Sequence, residues 1–168
     1  FDLRPDIDLR RLGVNVCLQG DRVWPMYIER TSFLGWEDNP GFGGAVTARG
    51  LASLAVSTLQ SASDEGGILR GPTARALVSA QPAVFDSVLE MHISYGLGWM
   101  TNLPEIDFGP ALSTESFGHV GLTGMTAMWA DPLDGHAGCY HINGLIDGYT
   151  AVNWLRPRLV GVISRAVT

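Results

Sequence analysis

Apolar residues at helical spacing predict helices in two parts of the chain. A helix over about 48–60 follows Thr47, whose hydroxyl suits it to cap the first turn. A second, short helix opens at Pro72 and runs through Ala80, because proline is tolerated in the first turn. A closing helix covers 157–167, where apolar residues return at the same spacing. The apolar stripe of the first helix consists of Leu51, Leu54, Ala55 and Leu59.

Between the second helix and the closing helix, the pattern is that of short strands bounded by turn residues. The predicted strands cover 94–99, 116–121, 125–130 and 137–143. The connection between the last two contains Pro132 and Gly135, and it predicts a hairpin. Helices, then an antiparallel meander, then a closing helix make an α+β fold.

The length of the chain bounds its organisation. A chain of 168 residues fits one domain and can bury a single core. We expect one domain over 1–168 with three segments. These are an irregular, aromatic-rich segment 1–44, a helical region 45–110, and a region 111–168 with the antiparallel strands and the terminal helix.

The composition excludes several classes of protein. Hydrophobic residues make up 46% and charged residues 17%, which excludes intrinsic disorder. A net charge of -6 without a basic cluster argues against a nucleic-acid partner. All 11 basic residues are arginines, so this chain has no lysine for a P-loop, a Schiff base or a serine–lysine pair. We expect no membrane span, because no apolar run approaches the roughly 20 residues that one needs.

The glycine-rich stretch 117–124 carries His119 between glycines. Taken alone, it is typical of a strand with a glycine-rich end. Glycines at 118, 121 and 124 leave one strand edge bare, so a ligand can lie against it. An imidazole there can donate to a bound oxygen or exchange protons with it. A backbone N–H just past Gly121 can point at a developing oxyanion.

A second group of residues has some features of a metal site. In a strand, alternate residues share a face, so Cys139 and His141 point together while His136 lies in the turn. No further ligand nearby in sequence completes a tetrahedral site. We therefore predict a half-buried strand with no metal and no other cofactor, and keep a metal hydrolase using these three residues as an alternative.

Several short motifs follow one another in a defined order. They are NPGFGG at 39–44 with TARGLA at 47–52, YGLGW at 95–99, and FGHVGLTG at 117–124 with ADP at 130–132. Over about 39–145 they resemble the C-terminal part of serine β-lactamase-fold proteins, the branch with class C β-lactamases, D-alanyl-D-alanine carboxypeptidases, esterases and acyltransferases. The resemblance implies the C-terminal portion of a β-lactamase-like fold, with a small acyl, ester or amide substrate.

The resemblance also implies roles for residues of the 117–124 stretch. His119 takes the place of the lysine in the family's third motif, where it would position the substrate and help to relay a proton. Gly121 is the final glycine of that motif, and Leu122 would supply a backbone N–H of the oxyanion hole. The substrate-binding positions implied in the same way are Val120, Thr123, Gly124, Tyr95 and Trp99. For the two aromatic residues, packing in the core is preferred over a place in the pocket wall.

Two motifs of the family have no counterpart in this sequence. The Ser-x-x-Lys motif requires a lysine, and Tyr27-Ile28-Glu29 does not match the Tyr-x-Asn element because its third residue is acidic. We therefore predict a partial domain that acts with a second polypeptide carrying the N-terminal half of the fold. That polypeptide would supply the nucleophilic serine. The alternative is a catalytically inactive interaction module, whose glycine-rich strand docks a partner by strand addition.

Overall fold

The computed structural model describes residues 46–86, 91–106, 108–121, 126–142 and 156–167. The aromatic-rich segment 1–44 lies outside the described residues. The chain forms two compact units, one of Phe1–Val46 with Phe85–Met91 and the other of Thr47–Val84 with His92–Thr168. Most of the described residues belong to the second unit, and those of the first unit are Val46, Phe85, Asp86 and Met91. The prediction of one domain over 1–168 stays a prediction.

Both helices predicted in the first half of the chain are confirmed. Helix α1 spans Ala48–Ala62, and the Thr47 hydroxyl accepts a hydrogen bond of 3.1 Å from the Gly50 amide. This bond satisfies one of the amides that a helix leaves without a partner in its first turn. Helix α2 spans Gly71–Val78 and has its proline in the first turn, as expected.

The predicted apolar stripe of α1 is confirmed in part, because Ala55 is buried in the core and Leu59 packs against it. The buried residues of α1 are Ala55, Thr58 and Ser61, whereas Leu54 is 40% exposed. The hydroxyls of Thr58 and Ser61 donate to the carbonyls of Leu54 and Ser57, four residues earlier in the helix. These polar side chains are therefore buried at little cost, and their small size lets the helix approach its neighbours closely.

The strands form a six-stranded sheet in the order β1-β2-β3-β4-β5-β6. Their bounds are Val84–Asp86, Met91–Tyr95, Met100–Thr101, Phe117–Val120, Thr126–Asp131 and His136–His141. The ladders from β2 to β6 are antiparallel. A short 3-10 helix, Leu103–Ile106, follows β3, and helix α3, Arg156–Val167, closes the chain as predicted. The α+β fold with an antiparallel meander is confirmed. The segment 45–110 holds the first three strands as well as α1 and α2.

The predicted strand over 94–99 is wrong, because this segment contains a turn. Strand β2 ends at Tyr95, and the Gly96 amide donates to the Trp99 carbonyl at 2.8 Å, which reverses the chain before β3 begins at Met100. A Cβ atom on Gly96 would lie 2.1 Å from the Leu77 carbonyl oxygen. The glycine is therefore required where the turn meets the end of α2.

The predicted hairpin between the last two strands is confirmed. Gly135 has a positive φ of 66° and donates to the Asp131 carbonyl at 2.9 Å. The carboxylate of Asp131 is fully buried and accepts hydrogen bonds from the amide and hydroxyl of Ser113 and from the Leu133 amide. Its two oxygens thus bind the turn and the segment before β4 together.

The sheet has two faces with different coverings. The α1 face carries Phe117 and Ala130, which form a core cluster with Ala55 of α1 and with Trp99. The opposite face, called the α3 face, carries Trp129 and the buried His136. The Nε2 atom of His136 lies 3.1 Å from the Ser164 hydroxyl of α3. Since side chains alternate along a strand, each residue in the register belongs to one face or the other.

Candidate active site

Strand β4 places His119 on the α1 face, beyond the part of that face that forms the core. Phe117 and Gly118 are buried, and exposure begins at His119. In the register, His119 lies opposite Met128 of β5, which in turn lies opposite Cys139 of β6. These three side chains therefore form one row across the sheet, next to the row that contains Phe117.

The surroundings of His119 favour its neutral form. Part of the imidazole is exposed, but the protein around it removes some of its hydration, and this partial burial lowers the pKa of His119 below 6.5. Within the described residues, the ring has no hydrogen-bond partner. A neutral imidazole without a partner can accept a proton from one bound group and donate one to another.

Among the described residues, the backbone of β4 has no β3 partner next to this imidazole. The β3–β4 ladder ends at the Met100–Gly118 pair, so β3 offers no residue opposite Val120. Gly121 donates to the Thr126 carbonyl at 2.9 Å and so faces β5. Because hydrogen-bonding direction alternates along an antiparallel strand, the N–H and C=O of Val120 point to the β3 side. An extended ligand can pair with that edge beside His119.

The structure brings together only some of the predicted site residues. Gly121 directly follows β4, next to His119, whereas residues 122–125, and with them Leu122, Thr123 and Gly124, lie outside the described residues. The side chain of Val120 is on the α3 face, opposite to that of His119, so only its backbone lies at the site.

The two predicted aromatic residues differ in placement. Trp99 is buried in the core, where its ring meets that of Phe117 edge to face with centroids 5.5 Å apart. Tyr95 is 40% exposed and pairs with Met100, which pairs with Gly118. That register places Tyr95 on the α3 face, away from the imidazole of His119.

The three residues of the alternative metal site do not converge. His136 is buried on the α3 face, and Cys139 and His141 lie on the α1 face. Burial raises the pKa of the Cys139 thiol to about 11, which disfavours the thiolate that a metal would bind. The Nδ1 atom of His141 is 2.6 Å from the Thr126 hydroxyl. Across the described ranges, no group of three or more His, Cys, Asp or Glu residues is placed to hold a metal ion.

Sequence reasoning missed Met128 as a neighbour of His119. The residue is half-buried, packs against the core cluster and lies directly across from the imidazole. Its proximity follows from the β4–β5 register, and no local motif marks it. The tight turn between β5 and β6 was the only long-range pairing that the sequence revealed, and it does not involve β4.

A groove elsewhere in the second unit is separate from these residues. It lies beside α3 and is lined by Pro110, Ala111, Pro157, Arg158, Gly161, Val162 and Arg165. None of the predicted site residues contributes to it. In the part of the chain that the structure describes, no helix combines the length and the apolar composition needed to cross a bilayer.

Comparison with known proteins agrees with this architecture. Residues 10–161 match the family model described as Beta-lactamase. A similar solved structure is that of a novel penicillin-binding protein homolog from Caulobacter crescentus, with 29% identity and a TM-score of 0.51 over 71% of this chain. The match covers 32% of that protein, so this chain spans about a third of its length. A search of curated proteins found no match.

Proposed function

Because this chain belongs to the β-lactamase family, whose members are of the serine hydrolase type, we propose that it forms one wall of the active site of a serine hydrolase or acyltransferase. The nucleophilic serine and its lysine would lie on a second polypeptide that carries the N-terminal half of the fold. These 168 residues contain no lysine, so a Ser-x-x-Lys motif cannot occur within them and has to come from outside them.

The observation that carries the proposal is the position of His119. Its imidazole is partly exposed and kept neutral by partial burial, and it stands beside a strand edge where, among the described residues, β3 no longer pairs with the backbone of Val120. A substrate lying along this edge brings its carbonyl next to an imidazole that can relay a proton. Core histidines, in contrast, are buried and hydrogen-bonded, as His136 is with Ser164.

The reaction would proceed through an acyl-enzyme. The serine oxygen attacks the acyl carbon, and the resulting oxyanion accepts hydrogen bonds from the serine's own amide and from the Leu122 amide. The lysine of the second polypeptide takes the proton that the serine hydroxyl loses in this attack. His119 holds the substrate and passes that proton to the leaving group, which departs as the carbonyl re-forms. Attack by water, or by another acceptor in an acyltransferase, then releases the acyl group from the serine.

The test uses the native complex and a fluorophosphonate probe, which labels activated serines. The probe should label the second polypeptide, and His119→Ala should lower turnover of an ester substrate by about 100-fold or more while the complex still assembles. The control is His92→Ala, which removes another exposed imidazole, on β2, and should leave turnover unchanged.

Two outcomes would contradict the proposal. Wild-type turnover in the His119→Ala complex would remove His119 from the mechanism. A complex in which the probe labels no polypeptide would instead favour the inactive interaction module, with the open edge of β4 as its docking strand.

A further inference from the structure

We propose that Met128 determines acyl specificity in this active site, and that the site takes uncharged substrates with an apolar acyl group, such as simple alkyl esters. The inference rests on the proposed function and deepens it by naming a substrate class. It is carried by the chemistry of the sheet surface between His119 and the core.

That surface is apolar and continuous with the core. Met128 lies across from His119 in the register and packs against the cluster that contains Phe117 and Ala130. Cys139 follows on β6, half-buried like Met128. An acyl chain lying on the α1 face next to His119 therefore meets a thioether and a thiol. Methionine is flexible and polarizable, so it can pack against alkyl chains of different shape.

Within the described strands, the same surface carries no arginine, lysine, aspartate or glutamate that could pair with a charged acyl group. The residues of β2 to β6 on the α1 face are His92, Ser94, Thr101, Phe117, His119, Thr126, Met128, Ala130, Ala137, Cys139 and His141. None of these is an arginine, a lysine, an aspartate or a glutamate. The acidic residue of these strands, Asp131, is buried and bound to Ser113 and Leu133.

The groups that can ionise on this surface are kept neutral near the centre of the row. Burial raises the pKa of the Cys139 thiol to about 11, and partial burial lowers the pKa of His119. An anionic acyl substituent next to Met128 would thus lose hydration without gaining a counter-charge, and this loss is costly. The polar pair of Thr126 and His141 lies one row farther from the core, and its two members are hydrogen-bonded to each other.

The experiment compares two esters with the native complex. One is p-nitrophenyl butyrate and the other is the p-nitrophenyl hemiester of succinate, which has the same chain length and ends in a carboxylate. For wild type, kcat/KM for the butyrate should be at least about 10-fold higher than kcat/KM for the hemisuccinate. In Met128→Arg, kcat/KM for the hemisuccinate should exceed kcat/KM for the butyrate by about 10-fold or more, because the substitution adds a cation beside His119. Met128→Leu should preserve the wild-type preference for the butyrate.

The control for added charge is Leu133→Arg, in the exposed turn between β5 and β6, which should leave the ratio of the two kcat/KM values unchanged. A wild-type ratio near one, or a preference for the hemisuccinate, would overturn the inference even if Met128→Arg does not fold. An equal change of the ratio in Met128→Arg and Leu133→Arg would overturn it too. A complex that the fluorophosphonate labels but that prefers the hemisuccinate refutes only the specificity. A complex that is neither labelled nor active refutes the proposed function itself.

Discussion

At the scale of single residues, the sheet shows how burial sets the chemistry of a side chain. His119 and Cys139 lie in the same row of the α1 face, separated by Met128. Desolvation disfavours the charged form of each, so it lowers the pKa of the imidazole and raises the pKa of the thiol to about 11. Both groups are therefore neutral near pH 7, and only the imidazole is ready to exchange a proton there.

The pKa of His119 can be tested directly. An NMR titration of the imidazole should give a midpoint below 6.5, and the signal should disappear in His119→Gln. Since the unfolded chain binds this proton more readily than the folded chain, the contribution of His119 to stability is fully present above pH 6.5. It should decline as the pH falls below that value, until the folded protein also becomes protonated. A midpoint at or above 6.5 would show that burial does not lower the pKa of this imidazole.

At Gly138 the surroundings leave no room for a side chain. A Cβ atom there would lie 2.4 Å from Cζ2 of Trp129, whose indole covers the glycine. Gly138→Ala should therefore lower the free energy of unfolding by about 1–3 kcal/mol, measured by urea denaturation. The matched change Gly50→Ala meets only Thr47 Oγ1 at 3.4 Å and should leave stability unchanged or slightly higher. Equal effects of the two substitutions would refute the role of the Trp129 contact.

At the scale of elements, residues close in sequence predicted where α1 and α2 begin. The turn at Gly96 and the buried face of α1 depend on contacts between residues that are distant in sequence. Thr47 and Pro72 marked the beginnings of α1 and α2 because caps and first turns depend on neighbours in sequence. The turn at Gly96 was not predicted, because this glycine is required by the nearby carbonyl of Leu77, which belongs to α2 and is distant in sequence. The predicted stripe of α1 was right for Ala55 and Leu59 but wrong for Leu54, because contact with the sheet decides which positions of the helix are buried.

The candidate site likewise has one part that the sequence predicted and another part that depends on long-range pairing. His119 was found from its own flanking glycines, which are visible in the sequence. Met128 and the unpaired edge at Val120 depend on where the β3 and β5 ladders begin and end, and residue types do not encode that register locally.

The cap of α1 provides a test at this scale. Thr47→Ala removes the oxygen that accepts from the Gly50 amide, and it should lower the free energy of unfolding by about 0.5–2 kcal/mol. Thr47→Ser keeps that oxygen and should cost only a few tenths of a kcal/mol. Thermal unfolding followed by circular dichroism distinguishes the two. The cap would have no energetic effect if the alanine and serine variants unfolded at the same temperature.

At the scale of the whole unit, α3 is held to the rest of the protein by buried polar contacts as well as by packing. Arg156 is 3% exposed, donates to the Ile106 carbonyl at 3.1 Å and lies over the Phe108 ring at 5.2 Å. It also bonds to Tyr140, whose pKa is raised by burial and lowered in part by this arginine. One side chain thus connects α3 with β6 and with the segment after β3.

Removing this connection should affect the fold more than removing another arginine of the helix. Arg156→Met keeps much of the apolar stem but loses the charge, and it should lower the free energy of unfolding by about 1–3 kcal/mol. Arg165→Met, at an exposed position of the same helix, should stay within about 0.5 kcal/mol of wild type. Chemical denaturation of both variants measures the difference. A loss no larger than that of Arg165→Met would show that the contacts of Arg156 do not contribute to holding α3.

The complete burial of Trp129 beside Gly138 has an optical consequence. An indole with no solvent contact fluoresces at the blue end of the tryptophan range. The chain has five tryptophans, so this reading requires a variant that keeps Trp129 as its only tryptophan. In that variant, a loss of the blue emission would report that β5 and β6 have separated, without any added dye.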